Sequence, residues 1–144
     1  MTNESVKPPV WFWIVSVVAL LWNALGVFAY LDQAYMTPEK LALMPAAEQA
    51  LFANIPAWVT AAFAIAVFGG TIGSLLLLLK KKLAFTILIL SLIGIIVQMY
   101  HSFFISNALD VYGPGGIVMP IMVLIIGIGL IILAKKGKAN GWLN

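Results

Sequence analysis

Few residues in this chain could carry chemistry, and most of them lie in one stretch, Ser91 to Asn107 (SLIGIIVQMYHSFFISN). At about 100° per helical residue, Ser91, Gly94, Gln98, His101, Ser102 and Ser106 share an arc roughly 140° wide. Around them the run is apolar. Polar side chains at membrane depth are costly unless they face protein or water, so this stripe is expected to turn into a bundle or a cavity. Gln98 offers donors and an acceptor, and His101 a ring suited to proton shuttling. The same residues would serve equally as hydrogen-bonding glue between helices.

Other chemistries lack their residues. There is no Cys, which removes disulfides, thiolate catalysis and thiolate metal sites. A single His removes multi-histidine metal centres and bis-histidine haem within one chain. Without paired intramembrane carboxylates or a nucleophile motif the chain reads as non-enzymatic, with no catalytic residue, metal or cofactor expected. Asp32 and Asp110 read as solvated loop acids. All eight basic residues are Lys, set at the ends of apolar runs. They lack the guanidinium forks suited to phosphates and base edges, so no nucleic-acid partner is expected.

The elements that must position the stripe follow from composition. With 63% hydrophobic residues, 9% charged residues and a mean hydropathy of +1.08, the chain departs from soluble domains, which carry about 25% charge. Its 144 residues read as a single all-α domain, an integral membrane four-helix bundle in contact with the lipid bilayer. Four runs are long enough to cross about 30 Å of hydrocarbon: residues 10–31, 56–79, 83–107 and 117–134. A polar leader, residues 1 to 9, precedes them. A cleaved signal peptide, with Val27-Phe28-Ala29 as its cleavage site, competes for the first run. The length of that run, with Trp22 and Asn23 inside it, favours a retained helix.

In the first span Ser16, Ala19, Asn23, Gly26 and Tyr30 share a face, where Asn23 would hydrogen-bond across a helix contact. Trp11, Trp13, Tyr30, Trp58 and Trp142 suit the interfacial belt. Thr37-Pro38-Glu39 starts a short helix and Pro45 a second. These two are amphipathic, with Leu41, Leu43, Met44, Leu51 and Phe52 to lie on the membrane face or cap the bundle. The second span carries a small-residue ladder, Ala62, Ala66, Gly70 and Ser74. It would serve close packing within the chain, a homo-oligomer, or docking into a larger membrane complex. Lys80-Lys81-Lys82 permits only a short antiparallel turn, and Tyr112 to Gly116 reads as a tight turn. The fourth span, with Pro120 in its first turn, carries the fewest markers.

Seven of the eight lysines fall in the leader, the Lys80–Lys82 turn and the C-terminal tail, with Glu4 as the one acid among them. The other two loops hold Lys40 against Asp32, Glu39, Glu48 and Asp110. The positive-inside rule then places both termini in the cytoplasm and the loop between spans one and two outside. In that frame Asn23 and Gln98 lie at similar depth, about 5 Å outward of their span centres. The expectation is an outward-facing polar pocket, sealed toward the cytoplasm. Asn23, Gln98, His101 and Ser102 would bind its ligand, with Tyr30 and Trp58 at the rim.

Five stretches cover most of the chain: FWIVSVVALLWNALGVFAY, MTPEKLALMPAAEQALF, PAWVTAAFAIAVFGGTIGSLLLLLKKK, ILSLIGIIVQMYHSFFISN and VYGPGGIVMPIMVL. They resemble a family of short bacterial inner-membrane proteins that often carry a sugar-transporter label. The four-span outline is similar to that of the DoxX-like membrane proteins. The resemblance implies a multi-pass protein of the bacterial inner membrane and brings no catalytic motif to these residues. Three functions stand as expectations. The pocket would bind a small molecule, a lipid headgroup or a partner helix; or the chain would move a small solute, sugar included, as an oligomer; or it would be an accessory subunit of a larger membrane complex.

Overall fold

The computed structural model describes residues 6–144; Met1 to Ser5, the first part of the expected leader with Glu4 in it, lie outside the described residues. Among the described residues every regular element is helical. Helix α1 (Val10–Ala34) follows the Pro8-Pro9 pair and runs past its apolar stretch through Asp32. There the Asp32 carboxylate pairs with Lys40 of α2 (Pro38–Ala42). Thr37 caps α2, its hydroxyl accepting from the Lys40 N–H at 3.2 Å, with Pro38 at the first helical position where no N–H is needed. Helix α3 (Ala46–Ala53) and helix α4 (Ala57–Leu78) follow, each starting after a proline.

Helix α5 (Leu83–Tyr100) does not continue unbroken to Asn107. It passes into one π-turn, His101–Ile105, closed by the Ser106 N–H on the His101 carbonyl at 2.8 Å. Helix α6 (Ala108–Tyr112), a 3₁₀ turn (Pro114–Ile117) and helix α7 (Val118–Ala139) complete the chain. Helix α7 carries its lysines in the last turn, where cations suit the helix dipole. Segments Val10–Ala34, Ala57–Leu78, Leu83–Ile105 and Pro114–Ala139 are long and apolar enough to cross a membrane. By length and composition this is a multi-pass membrane protein.

Helix α4 is the centre of the bundle, with α1 on one side and α5 on the other, while α7 packs on α5. The reason is the small-residue ladder. Ala62, Ala66, Gly70 and Ser74 are all buried within the chain, so a second copy would have to use another surface. Against α5 the approach is backbone to backbone: a Cβ at Gly94 would lie 2.6 Å from the Ala62 carbonyl oxygen and 2.9 Å from the Ala66 nitrogen. One turn earlier Ser91 donates its hydroxyl to the Ala66 carbonyl at 2.6 Å. In hydrocarbon, helices gain little from excluding apolar surface. Close contact and interhelical hydrogen bonds of this kind hold them together instead.

The two ends of the bundle differ. At the lysine-rich end the tail after α7 folds back as a plug. Trp142, expected as an interfacial anchor, is only 7% exposed and sits edge-on to Trp11 and Phe12, with ring centroids 5.6 and 5.5 Å apart. It is drawn inside because the tail has backbone partners on both sides. Val6 N–H donates to the Gly141 carbonyl at 2.8 Å, Lys82 N–H to the Asn144 carbonyl at 2.9 Å, and Asn144 N–H to the Lys80 carbonyl at 2.7 Å. These bonds also steady Lys80, a non-glycine residue in the left-handed region at φ 60°. At the opposite end α3 lies beside α6. There partial burial, and then the Glu48 carboxylate, push the Tyr112 phenol above its ordinary range.

The α4–α5 contact makes a sharp contrast between two glycines. Gly94→Ala forces backbone against backbone and is expected to destabilise the fold by about 1–3 kcal/mol. Gly129→Ala on α7 meets nothing within 4 Å and is expected to be neutral or to stabilise by up to about 1 kcal/mol. Melting of the purified variants in mild detergent checks both; an equal response of the two would refute the packing account.

Candidate functional site

The arrangement of helices leaves a large space among the described residues. Helices α1 and α7 share no extensive interface. In the half of the bundle away from the lysines they stand on either side of a cavity of about 430 Å³. Each spanning helix contributes one stretch of wall: Trp22 to Ala29 from α1, Phe63 to Val67 from α4, Ile95 to Ser102 from α5 and its π-turn, and Met119 to Val123 from α7. A separate crevice of about 20 Å³, with Trp22, Asn23, Ile95 and Val123 in its wall, lies next to it toward the lysine-rich end. Beyond it Phe12, Ser16, Ser74 and Leu77 are fully buried and leave no open path. Leu25 and Met119, on the two lips, are 65% and 59% exposed, so the cavity opens sideways between α1 and α7.

Of the six residues expected to form the site, the structure brings Asn23, Gln98 and Ser102 to this cavity. Asn23 is already engaged. Its amide donates to the Ala19 carbonyl at 2.9 Å and reaches the Ser74 hydroxyl at 3.5 Å. Its carboxamide oxygen fills the space above Gly70, where a Cβ would lie 2.0 Å away. It therefore acts first as a fastener between α1 and α4. Gln98 is different. It is half-buried on the wall, and no hydrogen bond to the described residues engages its carboxamide. Ser102, one turn further along, presents a hydroxyl beside it, while its carbonyl accepts from Ser106 at 3.1 Å.

Tyr30, Trp58 and His101 stand outside the cavity wall. Tyr30 packs edge-on to Phe63 and Phe68, both centroid distances 5.6 Å, which ties α1 to the flank of α4. His101 is 6% exposed and lies edge-on to the Trp58 ring at 5.5 Å, joining the end of α5 to the start of α4. An arc of about 140° is wide enough to face more than one neighbour, and here it does. Ser91 and Gly94 meet α4 within the bundle, Gln98 and Ser102 meet the cavity, and His101 meets Trp58.

Most of the wall is apolar. Trp22, Phe63 and Met99 are residue types found throughout any such bundle, and the α7 stretch of the wall, Met119 to Val123, has no polar side chain. One signal did exist: Trp22 precedes Asn23, at the depth of Gln98, where an aromatic belt residue is out of place. Among the described residues no group of three His, Cys, Asp or Glu side chains is placed to hold a metal.

The Asn23–Gly70 contact predicts strong coupling. Gly70→Ala should displace the Asn23 carboxamide and cost about 1–3 kcal/mol, whereas the same change in an Asn23→Ala background should cost clearly less. A double-mutant cycle on thermal melting measures this, and strict additivity would show that the two side chains do not compete. Compared with protein-family models, with curated proteins and with solved structures, the chain matches none, so the reading of the site rests on its own geometry.

Proposed function

We propose that this chain is a non-enzymatic protein of the bacterial inner membrane, with both termini in the cytoplasm, that holds a lipid-soluble small molecule in its outer half. One observation carries the reading: a cavity of about 430 Å³ with a mostly apolar wall and a Gln98 carboxamide without a hydrogen-bond partner among the described residues. Small-molecule sites commonly have about 300–1,000 Å³, apolar linings and a few placed polar groups. The sideways opening favours a molecule drawn from the bilayer. A sugar would need more convergent hydrogen-bonding groups than Gln98 and Ser102 supply.

Orientation rests on charge. Lys80, Lys81 and Lys82 adjoin the tail that follows Lys135, Lys136 and Lys138, and such a basic end belongs on the cytoplasmic side. The plug of Phe12, Trp142 and Leu143 at that end favours binding over conduction. The solute-transporter and accessory-subunit readings draw on no feature that binding leaves unused.

Two measurements test this. Protein purified in mild detergent should carry a small molecule, found by mass spectrometry of its organic extract, that is depleted at least about tenfold when Val123→Trp fills the cavity. Identical extracts from the two would sink the binding reading. The chain has no native Cys, so single cysteines report orientation cleanly. Ala46→Cys should react with a membrane-impermeant maleimide added to intact cells and Asn140→Cys only after lysis; the reverse pattern would overturn the orientation.

A further inference from the structure

The chemistry of the wall narrows what the cavity takes, an inference that rests on the binding reading above. Its polar side chains are Gln98 and Ser102, one helical turn apart, Asn23, which is committed to Ala19 and Ser74, and Trp22, whose indole N–H can only donate. A carboxamide and a hydroxyl both donate and accept, and neither is charged. Among the described residues no Lys, Asp, Glu or His side chain lines the cavity. An ionic group placed there would leave water without a counter-charge, at high cost in apolar surroundings. A hydroxyl or ester head would instead find both a donor and an acceptor.

The remainder of the wall selects for a chain. Trp22, Ile95 and Val123 line both the cavity and the crevice beside it, so an apolar chain lying in the cavity runs beside Trp22. On the lips, Leu25 and Met119 face outward between α1 and α7. In a membrane that gap faces hydrocarbon, so a tail too long for the cavity would extend into lipid without meeting water. We infer that the cavity selects a neutral single-chain amphiphile, with its hydroxyl or ester head on Gln98 and Ser102 and its chain beside Trp22.

Terminally brominated dodecanol and dodecanoate share one chain and differ only in the head, and bromine quenches a nearby indole. With the full chain in bilayer nanodiscs at about pH 9, where the carboxylate is ionised, wild type minus Trp22→Phe isolates the Trp22 signal. The alcohol should quench it saturably, be displaced by unlabelled dodecanol, and reach half-saturation at a concentration at least about tenfold below that of the carboxylate. Gln98→Leu and Ser102→Ala should each shrink that preference by about threefold or more. Saturable quenching with equal or greater affinity for the carboxylate would overturn the neutral-head inference and leave the binding reading standing. A preference unchanged in both variants would overturn the placement of the head. Absence of saturable Trp22 quenching by either probe, in protein that melts as usual, would remove this inference, while the extract comparison above decides the binding reading separately.

Discussion

The fold depends on how closely α5 can approach α4. Gly94 lies on the Ala62–Ala66 backbone and Ser91 hydrogen-bonds to the Ala66 carbonyl. Helices surrounded by lipid cannot rely on burying apolar surface from water, so contacts of this kind decide which helices pair. Helix α4 offers small residues to two sides. Gly69 and Gly73 accommodate Ser91 and Leu88 of α5, while Gly70 accommodates Asn23 of α1. Helix α7 has its close contact with α5, through Gly127 against Ile95. The order α1, α4, α5, α7 follows, and with it the absence of an extensive α1–α7 interface.

That missing interface is closed at one end only. Near the lysines Trp142 lies against both Trp11 and Phe12, and Leu143 packs against Gly137 of α7. The tail thus does between α1 and α7 what small residues do elsewhere in the bundle. Toward the other end nothing of the sort intervenes, and the cavity occupies the gap. A single asymmetry, a plugged end and an open half, sets the depth, the volume and the side of access of the site.

The polar residues divide along the same lines. Ser91 and Asn23 have partners and act as fasteners. His101 is buried against Trp58 at the π-turn. Such turns recur at functional sites, yet here the turn leaves His101 off the cavity and carries Ser102 onto it. Gln98 lines the cavity, and no hydrogen bond to the described residues engages its carboxamide. A carboxamide at that depth without a partner among the described residues is open to a partner from elsewhere.

The sequence by itself determined the class of fold. Apolar runs of spanning length can be satisfied in only a few ways, and lysines, prolines and glycines mark their ends plainly. It also singled out Asn23, Gln98, His101 and Ser102, because polar residues in hydrocarbon are few enough to be noticed one by one. Only the tertiary structure decided which of these is spent on packing and which is free. Periodicity places a residue on a face but does not say which neighbour that face meets; Asn23 is a fastener because Gly70 lies opposite, and His101 is buried because Trp58 does. The apolar wall of the cavity was illegible for a related reason. Leu25, Phe63 and Met119 look the same whether they face lipid, a helix or an empty space, and what they line is fixed by the distance between α1 and α7.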